Sequence, residues 1–160
     1  MQLSDISIVE SPPFQAATIH LHIPRETIQK EMEPAINEII TTLQARGTQP
    51  AGPMFAEHLS LSDTHFDFEV GFPINAAIQP AGRVRCIEIP AMKAATATMT
   101  GPYESLFDAW STFGDRVRAK FEATAASAPR RVREVYRVGP ETTMDSTRWE
   151  TDLLALIPGI

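Results

Sequence analysis

Arg131-Val132-Arg133-Glu134-Val135-Tyr136-Arg137-Val138 alternates with the period of a β-strand. Arg131, Arg133 and Arg137 fall on one face; Val132, Glu134, Tyr136 and Val138 fall on the other. With the arginine face toward solvent, Glu134 points into apolar surroundings and has Tyr136 as its neighbour on that face. A buried carboxylate without compensation is costly. Such a group is kept for an internal basic partner such as Lys93 or an arginine, for catalysis, or for a ligand that carries the positive charge. The strand pattern leaves these three open, together with a twist that returns Glu134 to solvent.

Working outward, Gly101-Pro102-Tyr103 opens a helix, with proline at an early position where its missing N–H costs nothing. The stripe of this helix is Tyr103, Leu106, Phe107, Trp110, Phe113, Val117 and Phe121. Phe107, Phe113 and Phe121 are read as core packing, whereas Tyr103 and Trp110 each carry a polar handle suited to a cleft wall. A loop at Ala126 to Arg130 leads into the Glu134 strand, and a Gly139-Pro140 loop leads to a last strand from about Arg148 to Ile157. Glu141, in that loop, is read as lying outside the site. Ahead of the helix, Val84 to Ile89 and Lys93 to Met99 read as strand segments separated by Pro90.

The same order appears earlier in the chain. Ile6, Ile8 and Val9 begin a strand that Ser11-Pro12-Pro13 interrupts and that Ala16 to Ile23 continues. A helix follows from about Arg25 to Arg46, with Ile28, Met32, Ile36, Ile39, Ile40 and Leu43 at helical spacing and Gly47 as its stop; Pro34 either kinks it or marks its true first turn. Met54 to Leu61 and His65 to Val70 then form a hairpin, the second strand directing Phe66, Phe68 and Val70 inward. Strand, helix, strand, strand thus occurs twice. The fold expected is α+β: a pseudo-two-fold duplication of these units, with an antiparallel sheet, two helices over one face and a central cleft. One domain over 1–160 is expected, with internal halves of roughly 1–80 and 81–160. Glu57, in Phe55-Ala56-Glu57-His58, stands on the strand equivalent to that of Glu134 and shares a face with Phe55, Leu59 and Leu61, which makes it a second candidate inward acid.

Composition narrows the function. The chain has 160 residues, 43% hydrophobic and 21% charged, with a formal net charge of −6. No basic stripe is present, which argues against direct nucleic-acid binding; the cluster Arg130, Arg131, Arg133 and Arg137 reads as a solvated face. The lone Cys86 fits a reducing cytosol, no signal peptide is visible, and no stretch approaches the roughly 18 apolar residues of a membrane span. A cytoplasmic location is expected. His20 and His22 share a strand face, but no third ligand with metal-site spacing accompanies them, nor does His58 or His65 supply one, so neither a metal nor a cofactor is expected.

These pieces taken in order, Gly52-Pro53-Met54-Phe55, Phe68-Glu69-Val70-Gly71-Phe72-Pro73-Ile74, Gly101-Pro102-Tyr103, Arg133-Glu134-Val135-Tyr136 and Trp149-Glu150-Thr151-Asp152-Leu153, resemble the GyrI-like effector-binding domains. Such domains occur in AraC-type and MerR-type multidrug regulators and as stand-alone proteins. The resemblance implies a ligand cleft in which Glu134, in the Glu-x-Tyr strand, meets a lipophilic, cationic or aromatic organic molecule. Tyr136, Tyr103, Trp110, Phe55 and Trp149 would supply ring surface, with Glu57 and His58 as further candidates. His58 stands where many relatives have tyrosine, so part of that wall differs. Two alternatives accompany the resemblance: hydrolysis of strained, cyclopropane-bearing cytotoxic compounds by Glu134 and Tyr136, and a gyrase-inhibitor-like interaction with a protein partner. Any DNA contact would come from a partner.

Overall fold

Alternating apolar and polar stretches form nine strands and two α-helices among the described residues, 1–121 and 131–156 of a computed structural model. The loop expected at Ala126 to Arg130 and the strand end expected at Ile157 lie outside the described residues. In chain order the elements are β1 (Gln2–Leu3), β2 (Ser7–Ser11), β3 (Phe14–Pro24), α1 (Ile28–Ala45), β4 (Phe55–Leu61), β5 (His65–Pro73), β6 (Arg85–Ile89), β7 (Met92–Thr100), α2 (Leu106–Phe121), β8 (Arg131–Val138) and β9 (Glu150–Leu156). The class is α+β, as expected. The chain divides into two units, Pro12–Ala91 and Met1–Ser11 with Met92–Ile160.

In the unit Pro12–Ala91 the strand order is β4–β5–β3–β6, every neighbour antiparallel. Ile19 and Leu21 stand opposite Val70 and Phe68, so one face is apolar; Thr18, His20, Asp67 and Glu69 occupy the other. Helix α1 packs against β3 and β5 and buries Ala35, Ile39, Thr42 and Leu43. Pro34 sits inside α1, where it removes one backbone donor. Gly47 ends the helix region at φ 70°, a left-handed conformation that glycine adopts without penalty.

In the other unit the order is β8–β9–β7, with β1 and β2 both along the far edge of β7. Helix α2 covers the face that carries Ala95, Ala97, Met99, Val132, Leu153 and Ala155, and inserts Ala109, Phe113 and Val117 into it. Alanines on β7 let the helix approach closely. The two units share one topology, since β3-α1-β4-β5 and β7-α2-β8-β9 run in the same order. The outer strand differs in origin: β6 follows β5 directly, whereas β2 comes from the N-terminus.

Three expectations are corrected here. Residues before Pro12 do not continue into the Ala16–Ile23 strand; Ser7 to Ser11 pair instead with Thr96 to Met92. Pro12 and Pro13 offer no backbone donors and end the ladder. Lys120 donates to the Ile6 carbonyl at 2.7 Å and Arg116 to that of Leu3 at 3.2 Å, which ties this segment to α2. Second, Arg133 is not on a wet face. It is 2% exposed and donates to Ser11 Oγ at 2.9 Å, because that face carries buried Met92, Ala94 and Leu154 with Val135 and Leu156 against them. The face becomes wet only at exposed Arg137, which pairs with Asp152 at 2.8 Å and Glu150 at 3.2 Å. Third, Phe107 is 78% exposed rather than in the core. It lies about 100° around the helix from Leu106, outside the stripe of Leu106, Ala109, Trp110, Phe113 and Val117. Among the described residues no helix is long and apolar enough to cross a membrane.

Gly71 sits in the middle of β5, opposite Thr18 on β3 and Phe55 on β4. A β-carbon there would overlap the Ala17 carbonyl oxygen and lie 2.9 Å from Thr18 Cα. These are backbone atoms of β3, which cannot rotate away as a side chain would. We expect Gly71→Ala to destabilise by about 3 kcal/mol, read as a fall in thermal midpoint of roughly 10 °C. An unchanged midpoint would show that β3 and β5 can separate there at little cost.

Candidate functional site

Register places Glu134 opposite Leu153 and Tyr136 opposite Thr151, so both project on the face of β8 and β9 that α2 covers. Glu134 as a residue is 9% exposed. Its Oε2 accepts a hydrogen bond from Trp110 Nε1 at 2.7 Å, and its Oε1 accepts one from the Tyr136 hydroxyl at 2.6 Å. Both donors are neutral. Among the described residues no basic side chain pairs with Glu134. An internal salt bridge, one of the three explanations open at the level of sequence, is thus not what accompanies this acid within the described residues.

Ring surface surrounds the pair. Tyr103, in the short turn of 3-10 helix ahead of α2, meets Tyr136 edge to face at 5.6 Å between centroids and lies against Trp149 at 4.7 Å with the planes tilted by 37°. Trp149 is held by its own indole, which donates to the Thr143 carbonyl at 2.8 Å. Trp110 also packs edge to face on Phe113 at 5.3 Å, which anchors it to the core while its N–H reaches Glu134. The strand phase, the helix phase and two short 3-10 turns therefore bring Tyr103, Trp110, Glu134, Tyr136 and Trp149 together.

Phe55, Glu57 and His58 belong to the unit Pro12–Ala91. Phe55 is buried edge to face on Phe14 at 5.3 Å, and His58 stacks on Phe68 at 5.1 Å. Glu57 is fully buried, but it stands opposite Glu69, which pairs with Arg85, on the polar face of this sheet. A bulge between His58 and Ser60 breaks the phase, so the face expected to run from Glu57 through Leu59 does not continue; the Leu61 side chain, expected on that face, lies outside what the structure describes. Glu57 and Glu134 thus occupy equivalent strands with different surroundings. His20 contacts Asp67 at 2.5 Å, and that contact is the main reason the Asp67 carboxyl sits below its usual range. Among the described residues no three His, Cys, Asp or Glu side chains are placed to hold a metal ion.

Two residues at the ring cluster escaped sequence reasoning. Gly139 is buried, and a β-carbon on it would lie 2.5 Å from the Tyr103 hydroxyl and 2.9 Å from Glu141 Oε2. Glu141 therefore stands beside the ring cluster: its carboxylate and the Tyr103 phenol meet over one bare backbone position. A glycine directly after the strand was the one available signal, and it reads equally well as ordinary turn chemistry.

The family of this fold is shown by comparison. The GyrI-like small molecule binding domain matches residues 4–157. The chain belongs to the GyrI-like family. No curated protein sequence matches it. Among solved structures, the GyrI-like chain is similar to the EcmrR C-terminal domain at 19% identity and TM-score 0.76, over 99% of this chain and 100% of that one. In the EcmrR-DNA complex in EcmrR-RPo, the likeness covers all of this chain but only 59% of the EcmrR chain. SAV2435 bound to tetraphenylphosphonium is similar at 11% identity and TM-score 0.68, over 97% and 94% of the two chains. A hydrolase encoded by lin2189 from Listeria innocua is similar at 9% identity and TM-score 0.60, over 96% and 92%. At these identities the structures support the GyrI-like fold.

The sequence holds two tyrosines, and both are in this cluster. Burial, then the charge of Glu134, pushes the Tyr136 phenol well above its usual range; burial, then Glu141 and Glu134, pushes Tyr103 to about 12. The folded state therefore keeps phenolic protons that an unfolded chain releases near pH 10. The stabilisation is complete below about pH 10 and is lost as pH rises through about 12, the folded value of Tyr103. We expect the folded protein to show little ultraviolet tyrosinate absorbance near pH 11, while the guanidinium-unfolded chain titrates at about 10. An ordinary folded titration of both phenols would contradict the described burial.

Proposed function

We propose that this GyrI-like domain binds lipophilic organic cations at the cluster of Glu134, Tyr136, Tyr103, Trp110 and Trp149. The single observation that carries this reading is a buried carboxylate whose two oxygens accept from neutral donors only. Those hydrogen bonds orient the group and satisfy it as an acceptor without cancelling its charge. A cationic ligand supplies the missing charge, and ring faces attract it the more strongly where water is excluded. The match to a small molecule binding family supports the reading, as does a neighbour solved with tetraphenylphosphonium. Likeness to EcmrR, solved with DNA, supports a sensing role in transcription regulation.

Hydrolysis is the second reading, favoured by the Tyr136–Glu134 contact at 2.6 Å and by the likeness to a hydrolase. A general base must present a lone pair to the proton it takes. Here each oxygen of Glu134 accepts from one aromatic side chain, so a reacting proton would have to reach the remaining lone pair of an enclosed oxygen, and the second reading ranks below the first.

Glu134→Gln keeps the shape and removes the charge. We expect it to weaken tetraphenylphosphonium binding at least roughly tenfold, ~1.4 kcal/mol, while binding of neutral triphenylphosphine oxide changes little. Isothermal titration of both compounds decides the matter; equal tetraphenylphosphonium affinity in the two proteins would end the cation reading.

A further inference from the structure

A second carboxylate reaches the ring cluster from the loop between β8 and β9. The position a Gly139 β-carbon would take is 2.5 Å from the Tyr103 hydroxyl, 2.9 Å from Glu141 Oε2 and 3.2 Å from Glu141 Oε1. The bare backbone at 139 is what admits both groups. Among the described residues Glu141 makes no hydrogen bond or ion pair, so no base offsets it. The loop does not need its carboxylate for shape. Thr142 and Thr143 donate backbone N–H groups to the Gly139 carbonyl at 2.9 and 3.1 Å. Asp145 accepts from Thr147 N at 3.1 Å, and Trp149 fastens the loop's far end through Thr143.

Tyr103 thus has an acid on each side. Its hydroxyl end faces Glu141, and its ring meets Tyr136, which donates to Glu134. Both charges are felt at the phenol, where after burial they are the causes that raise its pKa to about 12. Like charges on either side of one ring repel. A ligand with a single positive centre beside Glu134 leaves Glu141 uncompensated; one with a second positive group beyond Tyr103 relieves both.

We propose that Glu141 is a second anionic subsite, which makes the site selective for flat aromatic dications over monocations built on the same ring system. This rests on the cation reading of Glu134. Because Glu141 is exposed, water and salt screen it and its contribution is that of a surface pair.

Ethidium and propidium share one phenanthridinium core and differ by a quaternary ammonium on a short chain, so they isolate the second charge. Fluorescence titration of each dye at low salt, with wild type, Glu134→Gln and Glu141→Gln, tests the proposal, with thermal melts to show that all three are folded. Wild type is expected to prefer propidium. Glu141→Gln is expected to lower propidium affinity about fivefold and ethidium affinity less than half as much, so that the preference shrinks; raising the salt shrinks it in wild type also. If Glu134→Gln weakens both dyes while Glu141→Gln leaves their ratio unchanged, the second subsite is wrong and the cation reading stands. If Glu134→Gln weakens neither, both fall together.

Discussion

The carboxylate of Glu134, gripped by Trp110 on one oxygen and Tyr136 on the other, ties helix α2 to strand β8. Everything else at the site depends on that grip. A buried acid without hydrogen bonds would draw in water or force the helix away from the sheet. With them, it becomes an oriented charge inside an aromatic wall. Trp110 serves both purposes, since its ring packs on Phe113 in the core and its N–H points at the acid. Tyr103 and Trp149 extend the wall, and both depend on chain turns that lie outside the regular elements.

The scaffold that permits this is a repeated antiparallel unit with a helix on the sheet. Alanine is frequent on β7, where Ala95 and Ala97 are buried on the face that α2 covers. Small residues keep α2 close enough for an indole to reach across to β8. The N-terminal strand closes the far edge of β7, and Lys120 and Arg116 near the end of α2 hold its carbonyls. Edge strands that stay unpaired invite association, so this borrowed strand protects the sheet as well as completing the repeat.

Charge is distributed unevenly between the two acids nearest the rings. Glu134 is buried and acts at short range with little screening; Glu141 is exposed and acts through water. The proposed cation site would combine a strong inner contact, which depends on ring stacking and desolvation, with an outer one that depends on ionic strength. Neither acid is offset by a base among the described residues, which distinguishes them from Glu69, whose Oε1 is paired with Arg85.

Sequence by itself determined what local periodicity controls. Period-two alternation put Glu134 and Tyr136 on one face of a strand, helical spacing put Trp110 on the stripe that packs inward, and the repeated order of elements set an α+β fold. Tertiary structure decided what depends on distant pairing. Arg133 shares its face with Arg137, yet the apolar residues of β7 and β9 bury one and leave the other wet. Glu57 looked equivalent to Glu134 until the bulge and the register with Glu69 gave it a polar neighbour. The N-terminal strand went to β7 rather than onward into β3, a choice made by pairing Ser7–Ser11 with the distant segment 92–96. Phe107 and Leu106 are adjacent in sequence, and only the helix's rotation against the sheet sends one outward. Glu141 came beside Tyr103 because a missing side chain at Gly139 leaves room for both above the backbone. Alternation reports which face a residue is on; only the folded chain reports what lies opposite that face.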